Sequence, residues 1–248
     1  MNANALRDLD LYGVRWELSE TPEIQGLPHA PAQQFFQSND TKEERTVIIP
    51  ASAPISLDTV KSMVSRPTDI DSLIRMVCEF NHPLKAGATN TVVPNIAIKP
   101  NGLLIITDFP GTDDDLSGHI LSGIAGDMTD KMLSAIGMSR ESVSITPLLF
   151  WRTPGGRTPT REEIDLSMPF VDKMIDMLNP RVIITFGTLA TTEITKSNLN
   201  DVHGNEIVDD MGRIIIPMYH PNYLVLKPSA KRDVWNALQN VQKLLKNA

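Results

Sequence analysis

The sequence predicts an α/β protein built on a mostly parallel sheet with helices on both faces. Three observations carry the prediction. Four apolar runs, at 102–107, 142–148, 181–186 and 213–217, read as strands. Between and after them lie helical stretches at about 123–137, 161–178, 187–197 and 229–246, and strands that alternate with helices pair in parallel under helical cover. Two of the runs also end at Pro-marked turns, Thr107-Asp108-Phe109-Pro110-Gly111 and Tyr219-His220-Pro221. These turns lift a carboxylate and an imidazole to strand ends, where α/β proteins keep their ligand sites.

Taken in order, residues 2–17 read as a short helix. Residues 18–54 are rich in Pro, Gln, Ser and Thr without a sustained apolar period, and read as a linker or loosely packed arm. A helical pattern spans 57–80 with a break near Pro67, and Ile70, Leu73, Ile74 and Val77 share one stripe. The expected division is therefore an arm over 1–56 and a folded domain over 57–248. Thr160 and Glu163 make a capping box for the helix at 161–178. Pro221 is expected to stop the last strand from running on into a helix, which leaves 222–226 as an apolar loop.

Composition narrows the function classes. Of the 248 residues 41% are hydrophobic and 21% charged, as in a water-soluble globular protein. No apolar run approaches the roughly 18–20 residues of a membrane span, and the first residues lack the blocks of a signal peptide, so a cytoplasmic protein without membrane contact is expected. The single cysteine, Cys78, excludes an internal disulfide and any all-thiolate metal site, and the five histidines are scattered, so no metal is expected. A net charge of −7 speaks against nucleic acid on average, yet residues 211–248 carry six basic side chains against Asp233 alone. Arg152, Arg157 and Arg161 form a second basic patch. Phosphate contacts are short-range, so such local clusters permit DNA binding without demanding it.

Other motifs carry less. Asp113-Asp114-Asp115 reads as a solvated acidic loop, and Thr153-Pro154-Gly155-Gly156-Arg157 as a flexible turn lacking the Gly-Lys-Ser/Thr of a phosphate loop. Gly123, Ala125 and Gly126 read as small residues for close helix–sheet packing. No Gly-x-Ser-x-Gly elbow is present.

Four motifs in order, Thr107-Asp108-Phe109-Pro110-Gly111, Gly118 to Gly126, Arg157-Thr158-Pro159-Thr160 and Tyr219-His220-Pro221, resemble those of family 4 uracil-DNA glycosylases. The spacing holds from about residue 78 to the C-terminus. The resemblance implies a three-layer α/β/α sandwich with a central four-stranded parallel sheet, and hydrolysis of the N-glycosidic bond of uracil in DNA. It gives Asp108 the task of orienting water and stabilising the sugar cation, and His220 that of stabilising the departing base. It assigns Thr107, Gly111, Leu121 and Pro147 to the base pocket, with Leu121 as its floor. Arg157, Lys231 and Arg232 are assigned to the DNA backbone, and Tyr223 or Leu224 to the wedge that fills the stack after the nucleotide flips out.

Three departures from the family pattern stand out. The four cysteines of the family's iron–sulfur cluster align with Glu79, His82, Trp151 and Ser167, so no cluster is expected and Trp151 with its neighbours would brace the loop by packing. Pro147 replaces an Asn that reads the base edge, and Leu121 replaces a Phe that stacks on the base. Each loss is worth on the order of 1–3 kcal/mol of base recognition. The expectation is a monomeric, cofactor-free glycosylase acting on DNA with uracil or another deaminated base. The rival is a catalytically weak or inactive module that keeps the fold and binds DNA or a protein partner.

Overall fold

A computed structural model of the chain describes residues 55–246. The helix expected at 2–17 and the linker at 18–54 lie outside the described residues. The chain divides into two units, Met1–Ala51 and Ser52–Ala248, and the second holds everything that follows.

The unit opens with two helices, α1 (Leu57–Val64) and α2 (Ile70–Glu79), on either side of the expected break, and a 3-10 turn at Pro83–Gly87. Asp69 starts α2 through a capping box with Ser72. The remaining order is β1 (Leu103–Thr107), α3 (Thr112–Ser117), α4 (Gly123–Ala135), β2 (Ser144–Pro147), α5 (Arg161–Leu178), β3 (Val182–Phe186), α6 (Thr188–Thr195), α7 (Leu199–Val202), β4 (Ile207–Val208), β5 (Ile214–Met218), α8 (Pro221–Leu226) and α9 (Lys231–Lys246). The expected capping box opens α5, with Glu163 N donating to Thr160 Oγ1 at 3.3 Å and Thr160 N to Glu163 Oε2 at 2.8 Å.

The sheet has five strands in the order β2-β1-β3-β5-β4. Four are parallel as expected, and the fifth, β4, is a two-residue strand antiparallel to β5 that caps one edge. Side chains alternate across β1: Leu103 and Ile105 enter a core with α4, α8 and α9, and Leu104 and Ile106 enter a second core with α1, α2, α5 and α6. Both faces are thus buried, which is why the strands are apolar throughout. The result is the three-layer sandwich.

Three short helices, α3, α7 and α8, were unread in the sequence, and two of them bear on the site. Pro221 does not end regular structure but begins α8: a proline lacks an N–H, and the first helical position needs none. The triple aspartate is also not a solvated loop. It lies in α3, where Asp114 accepts from Gly111 N at 2.9 Å and Ser122 N at 2.7 Å, and Asp115 accepts from Thr89 N at 2.8 Å and Thr89 Oγ1 at 2.9 Å. These carboxylates pin the segments before and after α3.

Candidate active site

The register places Thr107, Pro147, Phe186 and Met218 in one row at the C-terminal ends of β1, β2, β3 and β5. Immediately beyond the row, Asp108 and His220 line one pocket of about 530 Å³. The pocket is completed by Thr107, the turn Phe109–Gly111, the acidic end of α3, Ser122, Ile124 and Ala125 at the start of α4, and Arg152, Gly156 and Asn222.

Asp108 is held by the start of α6. Ala190 N donates to its Oδ1 at 2.7 Å, and the N–H groups of Leu189 and Thr188 also face it. Burial pushes the carboxyl up to about 6, and these backbone donors work against that rise. The carboxylate is therefore a base that ionises near neutrality, poised at a helix N-terminus.

His220 is the N-cap of α8, and its Nδ1 accepts from Asn222 N at 3.2 Å. That bond assigns the ring proton to Nε2. Burial lowers the imidazole to about 4. At neutral pH the side chain is a neutral Nε2–H donor, suited to a developing oxyanion rather than to carrying a permanent charge.

Other expected site residues are distributed differently. Gly111 and Thr107 line the pocket, whereas Leu121 and Pro147 are not among its lining residues. Leu121 is buried in the core beside α4 at φ +51°, and its carbonyl accepts from Arg140 Nη2 at 2.6 Å. The glycine at 126 makes this turn possible, because a Cβ there would overlap the Leu121 carbonyl. The close approach is thus helix to turn, not helix to sheet. Arg157 is engaged by both oxygens of Glu163, at 2.5 and 2.8 Å, and Arg161 by Glu193 and Asp165. Arg152 makes no ion pair among the described residues and is the arginine of this patch that lines the pocket. Its identity was legible as part of the patch, but which of the three arginines would stay free was not.

The wedge assignment also changes. With 221–226 helical, Pro221 and Leu224 fall on one face and are buried, Leu224 at 1% exposure. Tyr223 at 37% and Leu226 at 84% face outward. Leu224 is a core anchor, so it cannot enter a DNA stack. Tyr223 packs on Tyr219, which stacks on His203 with ring centroids 4.0 Å apart, and this ladder seats α8. Lys231 and Arg232 are exposed at the N-terminus of α9, as expected.

Residues 95–239 match the model of the uracil DNA glycosylase superfamily. The chain belongs to that superfamily. It is 28% identical over 186 residues to a type-4 uracil-DNA glycosylase of Archaeoglobus fulgidus, spanning 71% of this chain and 92% of that protein. It is 30% identical over 169 residues to a type-4 uracil-DNA glycosylase of Thermotoga maritima, spanning 66% of this chain and 88% of the relative. A similar protein of the same description from Pyrobaculum aerophilum is 30% identical over 141 residues, 53% of this chain and 72% of its own.

Within this superfamily fold, the positions that align with cluster cysteines do not fit a metal cluster. His82 is buried with both ring nitrogens in use: Nδ1 accepts from Leu84 N at 3.1 Å, and Nε2 donates to Glu163 O at 3.0 Å. Its ring lies flat on Trp151, with centroids 4.6 Å apart and planes 10° from parallel. Phe80 packs against both and against Phe170 at 5.1 Å, and Trp151 Nε1 donates to Thr91 Oγ1 at 2.9 Å. An aromatic core in which the ring nitrogens of His82 and Trp151 are satisfied stands where thiolates would be needed, and the fourth position, Ser167, offers only a buried hydroxyl. No helix of the described residues is long and apolar enough to cross a membrane.

Proposed function

We propose that this chain is a DNA repair glycosylase that hydrolyses the N-glycosidic bond of uracil, or of a related deaminated base, and leaves an abasic site. The observation that carries the reading is the pairing, in one pocket, of a carboxylate that ionises near neutrality with a neutral histidine donor. The type-4 relatives are named for that activity.

In this reading the C1′–N bond breaks with cationic character growing on the sugar and negative charge on the base. The ionised Asp108 carboxylate stabilises the cation and takes the proton of the water that adds to C1′. The Nε2–H of His220 donates to the base oxygen on which the charge gathers. Neither step calls on a metal, and the protein works without a cluster: the aromatic core of Phe80, His82, Trp151 and Phe170 braces the 152–156 loop instead. DNA is held by Lys231 and Arg232 at the start of α9 and by Arg152 at the pocket rim. The exposed Tyr223 and Leu226 of α8 occupy the space left by the flipped nucleotide. The protein acts as a monomer.

The test is direct. Purified protein is incubated with oligonucleotides carrying uracil, hypoxanthine or xanthine, and abasic sites are scored beside Asp108→Asn and His220→Ala. Abasic product that depends on both residues is expected. No product on any substrate, with DNA binding intact, would mean that a binding module has kept the fold and lost the reaction.

A further inference from the structure

Resting on that reading of the pocket, we infer that Thr107 reads the polar edge of the extruded base, replacing the side-chain contact that Pro147 cannot make. Thr107 is 2% exposed, and its Oγ1 is buried without a hydrogen-bond partner among the described residues. Neighbouring hydroxyls of the sheet are engaged: Thr185 Oγ1 meets Thr191 Oγ1 at 2.9 Å, Thr146 Oγ1 donates to Pro147 O at 3.2 Å, and Ser144 Oγ accepts from Ala97 N at 3.1 Å. An orphaned hydroxyl at a fully buried strand position destabilises the fold, and valine would fill the same volume without that penalty. Ser167 Oγ is likewise unpartnered but does not line the pocket, whereas Thr107 borders a cavity that can bring its hydroxyl a partner.

The position supplies one. Thr107 lines the pocket that holds Asp108 and His220. Along β1 its side chain shares a face with Leu103 and Ile105, the face on which α4 contributes Ala125 to both the core and the pocket. In the parallel register its partner on β2 is Pro147. A polar contact absent on β2 is therefore present one strand away at the same level. The chemistry differs from that of an amide, because a hydroxyl both donates and accepts. It pairs with either member of the adjacent C=O and N–H groups of a deaminated base, with less insistence on their order. Selectivity among such bases is correspondingly looser.

The experiment compares wild type, Thr107→Val and Thr107→Ser for excision of uracil from single-stranded oligonucleotides, with Tm measured on the same preparations. Thr107→Val is expected to lower kcat/KM about 10- to 100-fold while Tm holds or rises, and Thr107→Ser to stay within about threefold of wild type. A structural role for the hydroxyl would lower Tm. Wild-type excision by Thr107→Val, or an equal loss in Thr107→Ser, would overturn the assignment of Thr107 and leave the glycosylase reading standing. A wild-type protein inactive on every deaminated base would overturn both.

Discussion

Gly187 has no side chain where Asp108 places its carboxylate. A Cβ built on Gly187 would overlap both carboxylate oxygens and their carbon, and the glycine sits at φ +101°, a conformation that side-chain-bearing residues rarely adopt. The end of β3 and the end of β1 thus share one space, and Asp108 reaches the α6 N–H groups only because residue 187 leaves it open. Gly187→Ala is expected to displace Asp108. Activity should fall at least as far as in Asp108→Asn, and strain at the positive φ should cost about 1–3 kcal/mol of stability. The double variant Gly187→Ala/Asp108→Asn should be no less active than Gly187→Ala. Independent, additive losses in this cycle would show that the glycine acts elsewhere.

The pH profile should follow Asp108 alone. The proposed reaction requires Asp108 ionised and His220 neutral; the first holds above about 6 and the second above about 4. A plot of kcat/KM should rise to a plateau with an apparent value near 6, with no second inflection from the histidine.

Stability gives the same carboxylate a second signature. Its folded value is raised from an ordinary 3.8, so its contribution is fully present below about 3.8 and is lost as pH rises through about 6. The contribution of His220, lowered from 6.5, is present above 6.5 and is lost as pH falls through about 4. Over pH 4–6 the two terms oppose, and the wild-type curve hides both. The difference between Asp108→Asn and wild type isolates the first. It should be near zero below pH 4 and reach about 1–3 kcal/mol in favour of the variant above pH 6, measured by urea denaturation.

How far the sequence led is clear at particular residues. Each parallel strand lies within two residues of its expected bounds, because an apolar run flanked by helical periods has few other solutions. The helix at 161–178 was legible to the residue because its capping box and apolar period agree. The strand-end placement of Asp108 and His220 followed from the Pro-marked turns, and the structure puts them in one pocket. Short elements were not legible. The helices α3 and α8 and the edge strand β4 are 6, 6 and 2 residues long, too short to show a period, and tertiary contacts decide them. The reassignment of the wedge follows from one of these: Leu224 and Leu226 are indistinguishable on a loop but occupy opposite sides of a helix.

That contrast is testable in two substitutions. Leu226→Ala removes an exposed side chain and should leave the unfolding free energy within about 0.5 kcal/mol of wild type. It should lower excision from duplex DNA about tenfold while sparing single-stranded substrate, where no stack must be filled. Leu224→Ala opens a cavity in the core and should cost about 2–5 kcal/mol with equal losses on both substrates. If Leu226→Ala affects the two substrates alike, α8 does not probe the duplex.

The aromatic core beneath the 152–156 loop makes the last prediction. Trp151 is fully buried, stacked on His82 and hydrogen-bonded to Thr91, and the loop that follows it carries Arg152 and Gly156 to the pocket. Trp151→Ala should cost about 3–5 kcal/mol, because a large cavity opens among Phe80, His82, Phe150 and Phe170. At temperatures where the variant stays folded, the slackened loop should raise KM for DNA more than it lowers kcat, since Asp108 and His220 are held by other elements. Wild-type protein exposed to iron and sulfide should gain no visible absorption and no stability, and a chelator should change neither Tm nor activity. Iron retained in stoichiometric amount through purification, or a Tm that falls on chelation, would show that metal rather than stacked rings supports this loop.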